Sequence, residues 1–409
     1  MIKSVVSRQK LVVRRETNLL TTNYSLLSTM QVVKFTTQNQ QEVIKITLAA
    51  LRKGGLVVFP SDTVYGLLAD AENPEAISRL LEFKERKPGQ AISIFVANKK
   101  IAERYVRLNQ NGLNVVNNLL PGPFTVVAKS KHQTDPRLEA ENDTLGIRIP
   151  NFPLILNLVT GFGRAITATS ANLSGRPAVY SIPSLFRTLS AKKKSLLNLV
   201  VDAGNLPKNK PSTVIDTTTG QLRTLRAGAL LPQTPNSLLS RSEKDTEELA
   251  RFLATKLIKT PLGKPIVFLL EGELGTGKTV FTRGLGKALG VKEKIASPTF
   301  NICAEYRTNL PSKTTSSGID SYHHNEANHN KKPQPKFIHC DFYRLETKEE
   351  FAELGFPENV SNGNIYAFEW SERLPRALIS ALKNRAEIVY LRLKHAGENQ
   401  RIIKWGKSR

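Results

Sequence analysis

A chain of 409 residues with 40% hydrophobic residues is long enough for two or three domains, each able to bury a core. Its formal charge of +24 makes a polyanion an expected partner, with RNA, nucleotides and anionic membrane all compatible. Two cysteines, Cys303 and Cys340, are too few for a disulfide framework or a four-thiolate zinc site and point to a reducing compartment; no run approaches the ~18 apolar residues of a membrane span.

Residues 1–29 carry Lys3, Arg8, Lys10, Arg14 and Arg15 against the acid Glu16, with many Ser and Thr. That composition suits a transit peptide, and it is equally what an upstream start codon yields, since Met30 opens a credible strand, MQVVKF. We expect a disordered basic extension outside the fold, in a cytoplasmic protein unless these residues target an organelle.

An amphipathic helix is expected from Glu42 to Leu51, stopped by Gly54-Gly55 before a strand over 56–59 that Pro60 ends. Ser61, Asp62, Thr63 and Tyr65 then follow a buried strand, where α/β sheets place ligand contacts; an Asx turn held by Asp62 explains the same residues. Asn73 and Pro74 open a helix to about residue 86, with Ile77, Leu80 and Leu81 on its buried face. Lys84 lies on or beside that stripe, which is costly unless an anion meets it. Arg86 and Lys87 follow, and helix-dipole complementation accounts equally for such a cluster.

Pro121-Gly122-Pro123-Phe124-Thr125 precedes a strand over 126–128, and Arg148 alternates with Ile147 and Ile149, as a solvated or a ligand-facing cation. In ITATSANLSG (166–175), Thr167, Thr169, Ser170, Asn172 and Ser174 suit contacts to a phosphate or a small zwitterion, or form a plain turn. Short strands over 212–219 and 225–229 follow, the second with Arg226, and Ser and Pro over 231–241 read as a linker.

Ser242 caps a helix whose Leu249, Phe252, Leu253 and Leu257 form one stripe. The next stretch, PIVFLLEGELGTGKT (265–279), fits G-x-x-x-x-G-K-[ST] between a strand and a helix. Gly272, Gly275 and Gly277 let backbone N–H groups turn toward phosphates, Thr276 lies within the loop, Lys278 adds charge and Thr279 can ligate Mg²⁺; the alternative is an ordinary glycine turn. Asp341 and Glu369 each end a short apolar strand, where a P-loop domain needs acids for Mg²⁺ and water. Trp370 either stacks an adenine or fills a core. The polar insertion 309–336, with His323, His324 and His329, is expected as a disordered surface loop, and Cys303, His339 and Cys340 fit no zinc spacing and are expected as buried strand residues.

As a set, FPSDTVYGL (59–67), KER (84–86), PGPFTVV (121–127), GIRIP (146–150), TATSANLSG (167–175), STVID (212–216) and LRAGA (225–229) resemble the YrdC-like threonylcarbamoyl-AMP synthases over roughly residues 35–230. Ser61, where that family has Thr, and Ala91-Ile92, where it has Pro-Leu, depart from the pattern. The resemblance implies a twisted α/β sheet with a deep basic cavity. By position, Lys84, Arg86 and Arg148 would hold phosphates and carboxylates, and Ser61, Thr63 and Tyr65 would line the end for L-threonine and bicarbonate, near Arg148 and Ser170. Thr125, Ser170, Asn172, Ser174 and Arg226 would contact ATP.

Residues 242–406 resemble the small P-loop ATPase TsaE, through the P-loop, Ser297-Pro298-Thr299-Phe300, His339-x-Asp341-x-Tyr343-Arg344 and Glu369-Trp370. The resemblance makes Thr299 a switch residue near Mg²⁺, Asp341 a metal-site acid and Glu369 a catalytic or sensing acid. The expected architecture is thus α/β throughout: a YrdC-like domain at 30–230, a linker at 231–241 and a P-loop NTPase domain at 242–409. The implied function is tRNA threonylcarbamoyladenosine synthesis, with ATP used at both sites and a TsaD-like transferase with its TsaB-like partner acting downstream, tRNA being met directly or through them. Two rivals are a basic RNA-binding module joined to a nucleotide switch, and carbamoyl transfer in another maturation pathway, whose cysteine-rich zinc segments are missing here.

Overall fold

The computed structural model describes residues 30–86, 89–258, 262–298, 301–311 and 334–407, arranged as three mixed sheets with helices. The 1–29 extension, Lys87, Thr299 and most of the 309–336 insertion, including His323, His324 and His329, lie outside the described residues. No helix among the described residues is long and apolar enough to cross a membrane.

The first sheet runs in the order Gln31–Lys34, Leu199–Asp202, Val57–Pro60, Tyr65–Leu68, Thr169–Ser170. The second runs Arg223–Arg226, Thr213–Asp216, Phe124–Ser130, Thr144–Arg148, Ile94–Phe95, Ile166–Thr167. The expected helix after Asn73 is present as Pro74–Lys84; the Asn73 side chain accepts from the N–H groups of Glu75 and Ala76, and proline occupies the first turn. Glu85 closes it in the left-handed region, φ 52°, which turns the chain so that Arg86 leaves the helix axis.

The third sheet is built around Ile266–Glu271, flanked by Ile365–Glu369 and Glu387–Gly397, with Lys336–Asp341 and Cys303–Arg307 beyond the former. The described ends of the insertion meet, the Thr308 hydroxyl donating to Pro335 O at 2.6 Å.

Two expectations need correction. Residues 231–241 are not a free linker: Leu231–Thr234 and Ser237–Ser240 form a hairpin paired with Gln400–Lys407 in the third sheet. Leu238 is buried, and Asn236 and Trp405 exchange hydrogen bonds at 2.9 and 3.0 Å. Short Ser- and Pro-rich runs read as linkers because composition cannot show a partner strand that lies at the far end of the chain. Cys303 and Cys340, expected as separate residues of a reducing compartment, are bonded to each other; the antiparallel register of their strands sets them directly opposite.

The halves share an apolar core. Phe124, Leu119 and Leu120 from the first belong to the same cluster as Leu249, Phe252 and Phe268 from the second.

Candidate functional site

The first two sheets enclose a cavity of about 760 Å³. Ser61, Thr63, Lys84, Arg86, Thr125, Arg148, Ser170, Asn172, Ser174 and Arg226 all line it, so one space collects residues that are dispersed along the sequence.

Lys84 is 2% exposed, and its ammonium donates to Ser170 O at 2.8 Å and Asn172 O at 2.6 Å. Burial, and then the neighbouring Arg86, push its pKa down to about 8. Arg86 donates to Gln90 O and Ala91 O, and burial lowers its pKa too. Arg148 is inside the cavity wall and not solvated. Its guanidinium pairs with Asp62 at 3.0 Å, lies 5.0 Å from the Phe95 ring centroid, and leaves its buried Nε without a partner. Asp62 therefore acts as the counter-ion of Arg148; neighbouring Ser61 makes the turn, accepting from the N–H groups of Thr63 and Val64.

Arg226 donates to both Ser212 O and Ser212 Oγ at 3.0 Å, and Ser212 Oγ meets Thr125 Oγ1 at 2.9 Å. Burial and then the charge of Arg148 lower the pKa of Arg226. Ser212 thus links two site residues across adjacent strands, a role that its place in STVID did not announce. The buried Oδ1 of Asn172 also lacks a partner.

Tyr65 does not join this group. Its hydroxyl points to the opposite side, donating to Gly204 O at 2.8 Å and accepting from the N–H of Ala203 at 2.9 Å. Strand geometry explains the miss. Tyr65 begins the strand, Gly66 faces the cavity, and alternation turns Tyr65 away.

The second site follows Ile266–Glu271. Gly272, Gly275 and Gly277 have φ of 145°, 76° and 93°, and helix Lys278–Ala288 starts behind them. Thr276 is buried and donates to Glu273 O. Lys278 is 5% exposed and donates to Gly272 O at 2.5 Å and Glu273 O at 2.9 Å. The Trp370 ring centroid lies 3.7 Å from its ammonium, so the half-buried indole both packs against the apolar core and covers the lysine.

Asp341 and Glu369 are register partners at the ends of adjacent parallel strands. Glu369, 1% exposed, accepts from Thr279 Oγ1 at 2.8 Å and Thr282 Oγ1 at 3.0 Å and meets His339 Nε2 at 2.7 Å. Ser297 Oγ donates to Asp341. Thr299 lies outside the described residues. His339 and Thr282 are site residues that the sequence reading missed. His339 stands two residues before Asp341 on one strand, hence on the same face, and Thr282 lies one helical turn after Thr279. No group of three or more His, Cys, Asp and Glu able to hold a metal occurs among the described residues; near the P-loop stand the Thr279 hydroxyl and the carboxylates of Asp341, Glu369 and Glu372, the last accepting from Gly272 N–H at 3.3 Å.

Two family models match. One, described as Telomere recombination (Sua5, YciO, YrdC), covers residues 49–228, and that of the threonylcarbamoyl adenosine biosynthesis protein TsaE covers 240–403. The threonylcarbamoyl-AMP synthase of Vibrio cholerae serotype O1 is 30% identical over 190 residues, spanning 46% of this chain and 98% of that protein. That of Vibrio campbellii is 29% identical over 194 residues, 47% of this chain and 100% of the relative. Among solved structures, P. abyssi Sua5 complexed with L-threonine aligns over 83% of this chain and 92% of its own, at 21% identity and a TM-score of 0.45. From the family models and the Vibrio relatives, the chain belongs to the Sua5/YciO/YrdC family, fused to a TsaE domain, and so to threonylcarbamoyladenosine biosynthesis.

Proposed function

We propose that the first half converts L-threonine, bicarbonate and ATP to L-threonylcarbamoyl-AMP and pyrophosphate, and that the second hydrolyses ATP in support of the transferase that consumes this adenylate. The observation that carries the reading is the charge of the cavity. Lys84, Arg86, Arg148 and Arg226 surround it, and its nearby carboxylate, Asp62, is taken by Arg148. Such a site favours a polyanion and disfavours a neutral ligand.

In this scheme the threonine amine and bicarbonate condense to a carbamate with loss of water. The carbamate oxygen then attacks the α-phosphorus of ATP, and pyrophosphate leaves. The attacking oxygen is already anionic, so the protein's task is positioning and charge neutralisation. Lys84 and Arg86 would exchange carbonyl partners for phosphate oxygens, which cannot donate and suit ammonium and guanidinium donors. Arg148 would hold a carboxylate near Ser61, Thr63 and Ser170, while Thr125, Ser212, Asn172, Ser174 and Arg226 would hold the nucleotide.

At the P-loop, Gly272, Gly275, Thr276 and Gly277 would cradle phosphates, with Lys278 moving from its carbonyls onto them. The all-oxygen set of Thr279, Asp341 and Glu369 fits a hard cation, and Mg²⁺ held there would neutralise phosphate charge. Glu369 would orient water, braced by Thr282 and His339. A TsaD-like transferase with its TsaB-like partner would be the recipient, and tRNA would be met through them.

The test is incubation of the full chain with ATP, Mg²⁺, bicarbonate and labelled threonine, following pyrophosphate and labelled adenylate. Threonine-dependent pyrophosphate release should vanish in Lys84→Ala and survive in Lys278→Ala, with phosphate release showing the opposite pattern. If the wild-type chain makes no adenylate yet binds tRNA in a salt-sensitive manner, an RNA-binding module replaces this reading.

A further inference from the structure

Helix Glu243–Leu257 belongs by sequence to the TsaE half and is packed on two sides. On one side it meets the P-loop helix. A Cβ on Gly284 would sit 2.7 Å from Glu247 Cα, and Arg283 and Lys287 pair with Glu247 at 2.9 and 2.7 Å. On the other side it enters the synthase half. The Phe252 ring, 4% exposed, packs edge-on against Phe124, 5.6 Å between centroids. It also covers Gly122 so closely that a Cβ there would lie 2.7 Å from the ring. One turn later the Lys256 ammonium donates to Asn117 O and Leu120 O, both at 3.0 Å, capping the carbonyl end of helix Gln110–Leu119.

These contacts converge on the loop Pro121–Phe124, whose backbone is tied to the cavity at both ends. Gly122 N–H donates to Ile149 O, next to Arg148, and Pro123 O accepts from the N–H of Thr213, next to Ser212. Thr125 follows the loop directly and meets Ser212, which holds Arg226. A shift of the loop therefore displaces nucleotide-side residues on two strands together. Hydrophobic packing alone would join the halves, but it does not call for a half-buried ammonium aimed at two carbonyls just before the Pro121–Phe124 loop.

We propose that this helix of the ATPase half is a working part of the synthase site, Phe252 and Lys256 acting as positioning residues that set Thr125, Ser212 and Arg226 against ATP. The inference rests on the synthase reading above. It places a requirement of the first activity in the second half of the chain, independent of hydrolysis at the P-loop.

The experiment uses the full chain and measures threonine-dependent pyrophosphate release against ATP concentration. Lys256→Met, which leaves two carbonyls without their donor, should raise the KM for ATP about tenfold with kcat changed less than about threefold. Lys256→Arg keeps a donor of similar reach and should restore KM to within about threefold of wild type. Phe252→Leu, which retains apolar volume, should raise KM by about two- to fivefold. Phosphate release at the P-loop, read in the same samples, should stay within about twofold, as expected when the fold is intact. An unmoved KM in Lys256→Met overturns the inference alone. A parallel fall of pyrophosphate and phosphate release also overturns it, because the helix then merely holds the fold. A wild-type chain that releases no pyrophosphate overturns the synthase reading and this inference with it.

Discussion

Lys84 and Lys278 are both buried, and each ammonium donates to two backbone carbonyls. Their surroundings differ. Lys84 has Arg86 as a neighbour, with Arg148 and Arg226 across the cavity, and the carboxylate of Asp62 is committed to Arg148. Burial lowers the pKa of Lys278 too, but the charges of Glu372, Glu369 and Asp341 partly oppose that shift, and the lysine is roofed by Trp370. Among the described residues Lys84, Arg86 and Arg226 pair with no carboxylate, whereas Lys278 has three acids whose charges act on it. That difference matches two tasks, gathering several anions in one cavity and cleaving a single phosphoanhydride with acids in place.

The largest effect should come from the acid that the first site lacks. Glu369→Gln exchanges one acceptor oxygen for a donor facing Thr279, Thr282 and His339. Phosphate release should fall by about 10²- to 10³-fold, with pyrophosphate release unchanged within about twofold. Hydrolysis that survives at full rate would make Glu369 a bracket and remove the acid from the comparison.

The next effect is on pH. Lys84, at about 8, must be protonated to hold an anion, so affinity is full below that value and is lost as pH rises through it. Calorimetric titration of ATP into Lys278→Ala should show binding weakening by up to about tenfold from pH 7 to 9, the full loss being reached when the bound anion keeps Lys84 protonated throughout. Nucleotide binding in Lys84→Ala, which reports the P-loop, should be flatter, because the carboxylates partly offset the burial that lowers the pKa of Lys278. Lys256, also brought to about 8 by burial, meets two carbonyls and the Phe252 ring, and repeating the titration in Lys256→Met isolates Lys84.

Much of both sites was legible because their chemistry is carried by contiguous motifs. The P-loop reads directly from glycine spacing, and the cavity cations stand inside short patterned segments. What escaped depended on partners distant in sequence or on the exact start of an element. Tyr65 was misplaced by one step of strand alternation, Ser212 and His339 acquire their roles only from Arg226 and Glu369 on other strands, and the 231–241 hairpin needs Gln400–Lys407 beside it. The packing of Phe252 against Phe124 was equally hidden, since a helical stripe predicts burial without naming what covers it.

The smallest effect separates two uses of Trp370. Stacked on adenine, the indole would add to nucleotide affinity; over Lys278, it stabilises the state in which the ammonium is still held by the loop's own carbonyls. A cation–π contact of about 1 kcal/mol corresponds to roughly fivefold in that balance. In a Lys84→Ala background, Trp370→Leu should therefore tighten ADP binding by about two- to fivefold, measured by calorimetry. Weaker binding would return the indole to the base and leave the carboxylates alone to distinguish Lys278 from Lys84.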